Sequence, residues 1–467
     1  MIELLSPAGS PEGVIAAVQN GADAVYMGMG AFNARRGAKN FTDEEFVKAV
    51  RYCHVRGCKV YVTLNTLVGD REMDAAAALA QQASDAGADA ILVQDLGLAR
   101  VLRAALPDIP LHASTQMSIH NLAGVEAAAE MGITRAVLSR ELSLEQIRFI
   151  SQHASIETEV FVHGALCFCY SGQCYMSALI GRRSGNRGAC AQPCRMQYSM
   201  GGRMDEYPLS LRDNCLADYL QQLADAGVAC VKIEGRMKRP EYVAVVTDVY
   251  ARCIHEHRVP TPEENDRLAL AFSRQGFTQG YLLGKKGPDM LGTRAAEPDR
   301  EVEKMFTAAR RAYADGERRR VPVKFYAKVQ SGEPVMAAVM DAEGHRAVLT
   351  GPVPEPAQRA PLTAHRQNGR HALLFHRHRE PHRPGPLSPG GRRQRPAPPA
   401  HYRPEGRARG PARAAEPAAA AAPGGQALFC RPRAHRAGAS GRAAHAGACR
   451  AAAGYRSGRA DRSRARD

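Results

Sequence analysis

The sequence has no apolar run approaching 18 residues, so nothing in it reads as a membrane-spanning helix. Its start, Met1-Ile2-Glu3-Leu4-Leu5-Ser6-Pro7, lacks the basic n-region of an export signal. No membrane partner is expected, and the 12 cysteines are expected in a reducing cytoplasm. There they serve as ligands, nucleophiles or core residues rather than as disulfides. The last 103 residues, 365–467, contain no Ile, Val, Met, Thr, Lys or Trp. A stretch without β-branched residues and dense in Pro and Gly builds neither a sheet nor a helical core.

What that stretch has instead is arginine. It holds 22 of the 63 basic side chains and 5 of the 47 acidic ones, leaving 41 basic and 42 acidic in residues 1–364. The formal charge of +16 therefore belongs to the tail, and the body is close to neutral. A disordered basic arm for RNA is one reading of residues 365–467. Translation of a GC-rich gene out of frame is the preferred one, and no function is drawn from the tail.

Residues 1–255 alternate short apolar runs with amphipathic helical stretches. Strands are expected at Ile2–Leu5, Ala24–Met29, Lys59–Asn65, Ala90–Gln94, Leu111–Gln116, Arg135–Ser139, Ile156–His163 and Ala229–Glu234. Gly21, Gly87, Gly132 and Gly227 each end a helix just ahead of a strand, where a left-handed cap is needed. Strands with so little polar alternation are buried on both faces, as parallel strands are. Eight such units predict an α/β fold of the (β/α)8 barrel type. A doubly wound sheet is less suited, because no Gly-rich phosphate loop follows the first strand. Barrel enzymes work at the C-terminal ends of their strands, where this sequence places Arg140, His163, Lys232, Glu234 and Arg236. A helix should run from Pro240 to about His255, a helical and loop extension fills 256–320, and 321–364 opens a β-rich second domain.

Within 159–195 lie Cys167, Cys169, Cys174, Cys190 and Cys194, five of the body's ten cysteines in 28 residues. So many in a loop rich in Gly, Ser and Arg cannot all be core residues. Zinc would want paired Cys-x2-Cys knuckles, which the spacing does not supply. A cysteine nucleophile with His163 as base would give a peptidase or transferase. An iron–sulfur cluster needs four thiolates converging from irregular backbone, with cationic neighbours to balance its charge. No Cys-x3-Cys-x2-Cys triplet is present, which argues against the radical type that uses S-adenosylmethionine.

The run Glu159-x-Phe161-x2-Gly164-Ala165-Leu166-Cys167 followed by Ser171-Gly172-x-Cys174 resembles the signature of the U32 family, the collagenase-like peptidases. The resemblance extends to Glu3-Leu4-Leu5-Ser6-Pro7-Ala8-Gly9, Gly21-Ala22-Asp23-Ala24-Val25-Tyr26 and Lys232-Ile233-Glu234-Gly235-Arg236-Met237-Lys238, and covers roughly residues 1–350. It is strongest to the longer branch, the ribosomal-RNA cytidine hydroxylases, whose extra domain would begin at Val321 and be lost in the tail. The resemblance implies a barrel carrying a [4Fe–4S] cluster and hydroxylating a pyrimidine in tRNA or ribosomal RNA, with prephenate as a co-substrate. Carried over, the cluster ligands are Cys167, Cys174, Cys190 and Cys194. Cys215 competes for the fourth place and Cys169 is a bystander. Arg140, His163, Lys232, Glu234 and Arg236 would bind the co-substrate or the base, and the electron or oxygen donor is open. The alternatives are a peptidase, as the family name suggests, and an inactive truncated binding remnant.

Overall fold

The computed structural model describes residues 2–35, 40–200, 203–293, 300–330, 332–342, 344–353 and 373–376. Eight parallel strands form its centre. They are β1 (Glu3–Pro7), β2 (Ala24–Met27), β3 (Lys59–Leu64), β4 (Ala90–Val93), β5 (Leu111–Ala113), β6 (Arg135–Val137), β7 (Glu157–Gly164) and, after a long insertion, β11 (Cys230–Ile233). Each of the first seven pairs with the next, and β11 pairs with both β7 and β1, which closes the barrel. All eight strands lie where the apolar runs place them. The insertion carries a hairpin of β8 (Tyr198–Met200) and β9 (Arg203–Glu206), then β10 (Asp213–Cys215), which lies antiparallel on β7. A short β12 (Phe277–Thr278) runs parallel to β10.

Local chemistry sets the helix starts. Ser10 caps α1 (Pro11–Gln19) with Pro at the first turn. Thr42 with Glu45, and Ser143 with Gln146, form capping boxes on α2 (Asp43–His54) and α6 (Leu144–His153). Asp95 and Asn121 cap α4 (Leu96–Ala105) and α5 (Leu122–Glu130), while α3 (Met73–Asp85) follows a 3-10 turn. The four junction glycines have φ of +98, +95, +79 and +88°, the conformation expected of them. Within the insertion Met176–Gly181 forms α7, and a 3-10 turn at Ala217–Tyr219 leads into α8 (Leu220–Asp225).

Leu5, Ala24, Tyr26, Leu92, Val137 and Phe161 fill the barrel interior, while Leu4, Val25, Val60, Ile91 and Val93 pack outward under the helices. The most buried helix is α9 (Pro240–His255), which packs against α1, α10 (Pro262–Ala271) and α11 (Arg300–Ala314). A second sheet follows, with antiparallel β13 (Val321–Lys328), β14 (Met336–Asp341) and β15 (Arg346–Thr350). One piece of the tail departs from expectation: β16 (Leu373–His376) pairs parallel with β13. Leu373-Leu374-Phe375 is an apolar run in an otherwise polar stretch, and the edge of β13 offers it unpaired backbone groups. The rest of the tail, with its expected disorder, lies outside the described residues, as do residues 354–364.

Candidate active site at the barrel mouth

The chain leaves β11 directly into the mouth of the barrel. Glu234 accepts hydrogen bonds from Arg35 Nη2 at 3.0 Å and Arg140 Nη2 at 3.1 Å. Burial alone would raise its carboxyl, but the charges of Arg35, Arg140 and Arg236 outweigh burial and hold it at about 2. Arg140 lies 3.9 Å over the Phe161 ring and donates to the Ala165 carbonyl at 2.7 Å. Arg236 is buried and donates to Thr63 Oγ1 at 2.7 Å and Asn33 Oδ1 at 3.4 Å. No carboxylate among the described residues pairs with it. Burial, then repulsion from Arg35, lowers its pKa to about 10. Among the described residues three guanidiniums thus gather round one ion-paired carboxylate, with Glu141 within electrostatic reach of Arg140, and the mouth keeps an excess of positive charge.

Lys232, expected at this rim, lies one layer deeper. Its ammonium meets Glu159 Oε1 at 2.8 Å and sits 4.4 Å over the Tyr26 ring, inside the barrel. It braces the interior and does not line the mouth.

His163 is a clearer departure. The register of β7 against β11 shifts between Lys232 and Ile233, so that Phe161 faces Lys232 and His163 faces Ile233. Alternation from Phe161 would aim His163 inward; the extra residue turns it out toward α9. There its ring stands 5.4 Å from those of Tyr250 and Phe277, with Nδ1 3.2 Å from the Tyr250 hydroxyl. Nε2 has no hydrogen-bond partner among the described residues. Burial, with the charge of Lys238 added, lowers the imidazole to about 3, so it is neutral. His163 is a core residue and no base for a loop cysteine.

The cysteine loop is tied across the mouth by polar contacts to the loops after β3, β4 and β5. Ser118 Oγ donates to the Ser171 carbonyl at 2.7 Å, and Asn186 Nδ2 to Gln94 Oε1 at 3.0 Å. Arg187 forks onto Glu72 at 2.6 and 2.8 Å. Gly172, at φ +82°, runs so close to the strand-5 loop that a Cβ would stand 2.6 Å from the Gln116 carbonyl oxygen. Only glycine fits both demands.

Cys167 and Cys190 are exposed, and Cys169, Cys174 and Cys194 are half-buried. Burial raises the Cys194 thiol, and the nearby sulfurs of Cys167, Cys190 and Cys174 raise it further, against Arg195. Cys194 thus lies within electrostatic reach of the other three sulfurs. Cys190 Sγ accepts from the Gln192 N–H at 3.3 Å and from Ser177 Oγ at 3.8 Å. Cys167 also lies within electrostatic reach of Arg35, which links the loop to the charged mouth. Cys169 is raised by burial and by Cys174 and Cys167, and hydrogen-bonds to Cys174. Cys215 sits apart on β10, buried, with its sulfur 3.6 Å from the Tyr250 hydroxyl. Among the described residues no three His, Cys, Asp or Glu side chains converge on a single ion. A [4Fe–4S] cluster takes one thiolate at each iron, so its ligands stand farther apart than those of one ion. Four thiols on irregular backbone, an N–H and a hydroxyl donating to the Cys190 sulfur, and Arg195 and Arg35 alongside fit such a group.

The sequence reading thus brought Arg140, Glu234 and Arg236 to one place, and missed Arg35, Asn33 and Thr63. Arg35 comes from a loop after β2 with no periodicity to place it. Its one signal was the polar, basic run Asn33-Ala34-Arg35-Arg36 directly beyond a strand end.

A closed barrel with a charged mouth and a thiol-rich loop across it is the scaffold of a strand-end barrel enzyme. The chain belongs to Peptidase family U32, which it matches over residues 9–291. It is 42% identical over 288 residues to the 23S rRNA 5-hydroxycytidine C2501 synthase of Escherichia coli (strain K12), spanning 60% of this chain and 43% of that one. It is 36% identical to tRNA hydroxylation protein P1 of Bacillus subtilis (strain 168), over 54% of this chain and 63% of the relative. A protein named collagenase from Porphyromonas gingivalis (strain ATCC BAA-308 / W83) is 34% identical over 61% of this chain and 74% of its own. The match spans less than two thirds of the first two relatives' lengths.

Proposed function

We propose that this chain hydroxylates a pyrimidine base in RNA, tRNA or ribosomal, using a [4Fe–4S] cluster held by Cys167, Cys174, Cys190 and Cys194. The observation that carries this is the excess of buried guanidinium directly beside the thiol loop, which calls for an anionic partner at a redox-competent site. The names of the two RNA-acting relatives support the same chemistry. The place of Cys215 beside Tyr250 supports Cys194 as the fourth ligand.

When bound, the cluster supplies one-electron chemistry or activation of an oxygen donor. The protein groups do the rest. Arg35, Arg140 and Arg236 grip an anionic co-substrate, and a dicarboxylate such as prephenate suits their forks. Glu234 holds Arg35 and Arg140 in register until that anion arrives. The loop over the mouth excludes water from the reacting atoms. The enzyme works in the cytoplasm, where its RNA is. No helix among the described residues is long and apolar enough to cross a membrane.

The test is to delete the gene and compare total RNA nucleosides by mass spectrometry. Loss of one hydroxylated pyrimidine, restored by the wild-type gene but not by Cys167→Ala, is the expected result. The peptidase reading rests on the family name and on one relative's name. Its simplest form, a loop cysteine activated by His163, lacks its geometry here. An unchanged nucleoside profile with peptide cleavage by the pure protein would restore it. An unchanged profile without cleavage would leave a binding remnant.

A further inference from the structure

The loop that holds the cysteines is also locally basic. Residues 160–199 contain Arg182, Arg183, Arg187 and Arg195 and no Asp or Glu, in a body that is close to neutral as a whole. Arg187 is committed to Glu72, and Arg195 donates to the Ser210 hydroxyl and to the carbonyls of Leu211 and Leu166. Arg182 and Arg183 are exposed, and no carboxylate among the described residues pairs with either. The same loop exposes aromatic rings: Phe168 is 49% exposed, Tyr170 56% and Tyr175 70%. In a chain that is only 6% aromatic, three such rings within eight residues are not the scattered exposure common on protein surfaces.

Exposed flat rings followed by exposed arginines that no carboxylate neutralises are what a single-stranded nucleic acid requires. Every base has a face to stack, and every linkage has a phosphate to neutralise. Duplex RNA offers no free base faces, and its deep major groove admits no side chains. A base that is to react at the barrel mouth must first leave its stack, which also frees its neighbours.

We propose that residues 168–183 form a docking platform for a single-stranded RNA segment. Tyr170 and Tyr175 stack the bases flanking the reacting one, and Arg182 and Arg183 take phosphates of the same strand. This deepens the RNA reading above and rests on it.

The experiment uses the full chain and a short fluorescent RNA without secondary structure, compared with the same RNA annealed to its complement. The single strand should bind more tightly. Tyr170→Ala and Tyr175→Ala should each weaken binding by about fivefold or more, and the Phe variants should retain it. The Arg182→Ala/Arg183→Ala double variant should lower the slope of log affinity against log salt by about 1.4. Unchanged unfolding midpoints will show that these surface changes leave the fold intact. Equal affinity in the alanine variants, or a preference for duplex, overturns the platform. If the modification depends on the gene but these variants bind and modify like wild type, the platform alone fails. If deletion leaves all nucleosides unchanged, the hydroxylase reading fails, and single-strand binding still decides the platform.

Discussion

Glu234→Gln removes the one carboxylate among three guanidiniums while keeping its size and its ability to hydrogen-bond. The carboxylate side chain is 14% exposed, and Arg140 beside it is 6% exposed. Breaking a buried pair by deleting one partner costs about 3–5 kcal/mol, because the remaining charge stays buried without compensation. Titration gives a similar figure. A carboxyl held at about 2 against an ordinary 4.5 contributes about 3 kcal/mol. Because the folded pKa is depressed, this contribution is fully present above pH 4.5 and is lost as pH falls toward 2. Urea unfolding followed by circular dichroism should therefore show the variant weaker by about 3 kcal/mol at pH 7. The gap should close between about pH 4.5 and pH 2, as the wild-type carboxyl takes up its proton and comes to resemble the amide. The variant also carries one more uncompensated positive charge at the mouth. A dicarboxylate should therefore raise its unfolding midpoint more than it raises that of the wild type. Equal stability at pH 7, or a gap that does not change with pH, would refute the assignment of Glu234 as the counter-charge of this cluster.

Three other perturbations probe the surroundings. His163→Phe should leave RNA modification in a complemented deletion strain intact and change stability by less than about 1 kcal/mol, since it removes an Nε2 with no partner among the described residues and one 3.2 Å contact to a Tyr250 hydroxyl that keeps its bond to the Val162 carbonyl; loss of modification in a folded variant would make His163 functional. Lys232→Met should cost about 3 kcal/mol in urea unfolding by leaving the buried Glu159 only its 3.6 Å contact with Arg135, and adding Glu159→Gln should recover part of it. Protein purified without oxygen should contain about four iron and four sulfide per chain, a content lost in Cys194→Ala and kept in Cys215→Ala, whereas an iron-free protein with full zinc occupancy would sink the cluster.

The barrel was legible because its signals are local. Each strand is a short β-rich run, and four of the strands are announced by a glycine that must take positive φ at the preceding helix end. The strand-end rule then found Arg140, Glu234 and Arg236, whose positions follow from strand boundaries alone. What failed depended on register and on loops. His163 was misplaced by one extra residue in β7, a bulge with no mark in composition. Lys232 was misjudged because depth inside a barrel depends on the stagger between strands, which a single strand does not reveal. Arg35 arrives from an irregular loop and meets Glu234 across 199 residues of sequence. The strand at Leu373–His376 was hidden because the surrounding composition outweighed three apolar residues.

The charges inside the barrel are arranged so that the mouth stands out. At its floor Arg135 Nη1 meets Glu3 at 2.6 Å and lies 3.6 Å from Glu159. Glu159 in turn meets Lys232 at 2.8 Å. Glu3, Arg135, Glu159 and Lys232 alternate in sign along the axis, so each buried charge has an opposite neighbour and the column is neutral. Such pairing is what burial demands, since an uncompensated ion in this interior would destabilise the fold by several kcal/mol. One layer higher the pattern breaks: among the described residues Glu234 is the one carboxylate ion-paired with Arg35 and Arg140, Glu141 lies within electrostatic reach of Arg140, and Arg236 has no carboxylate partner. Arg236 is held by a hydroxyl and an amide, neutral groups that satisfy its donors but leave its charge. A fold that balances four buried charges below does not leave an excess above by lack of carboxylates, for residues 1–364 hold 42 of them. The excess is confined to the face where barrel enzymes bind their ligands. A bound anion would complete there the same alternation that holds the rest of the axis together.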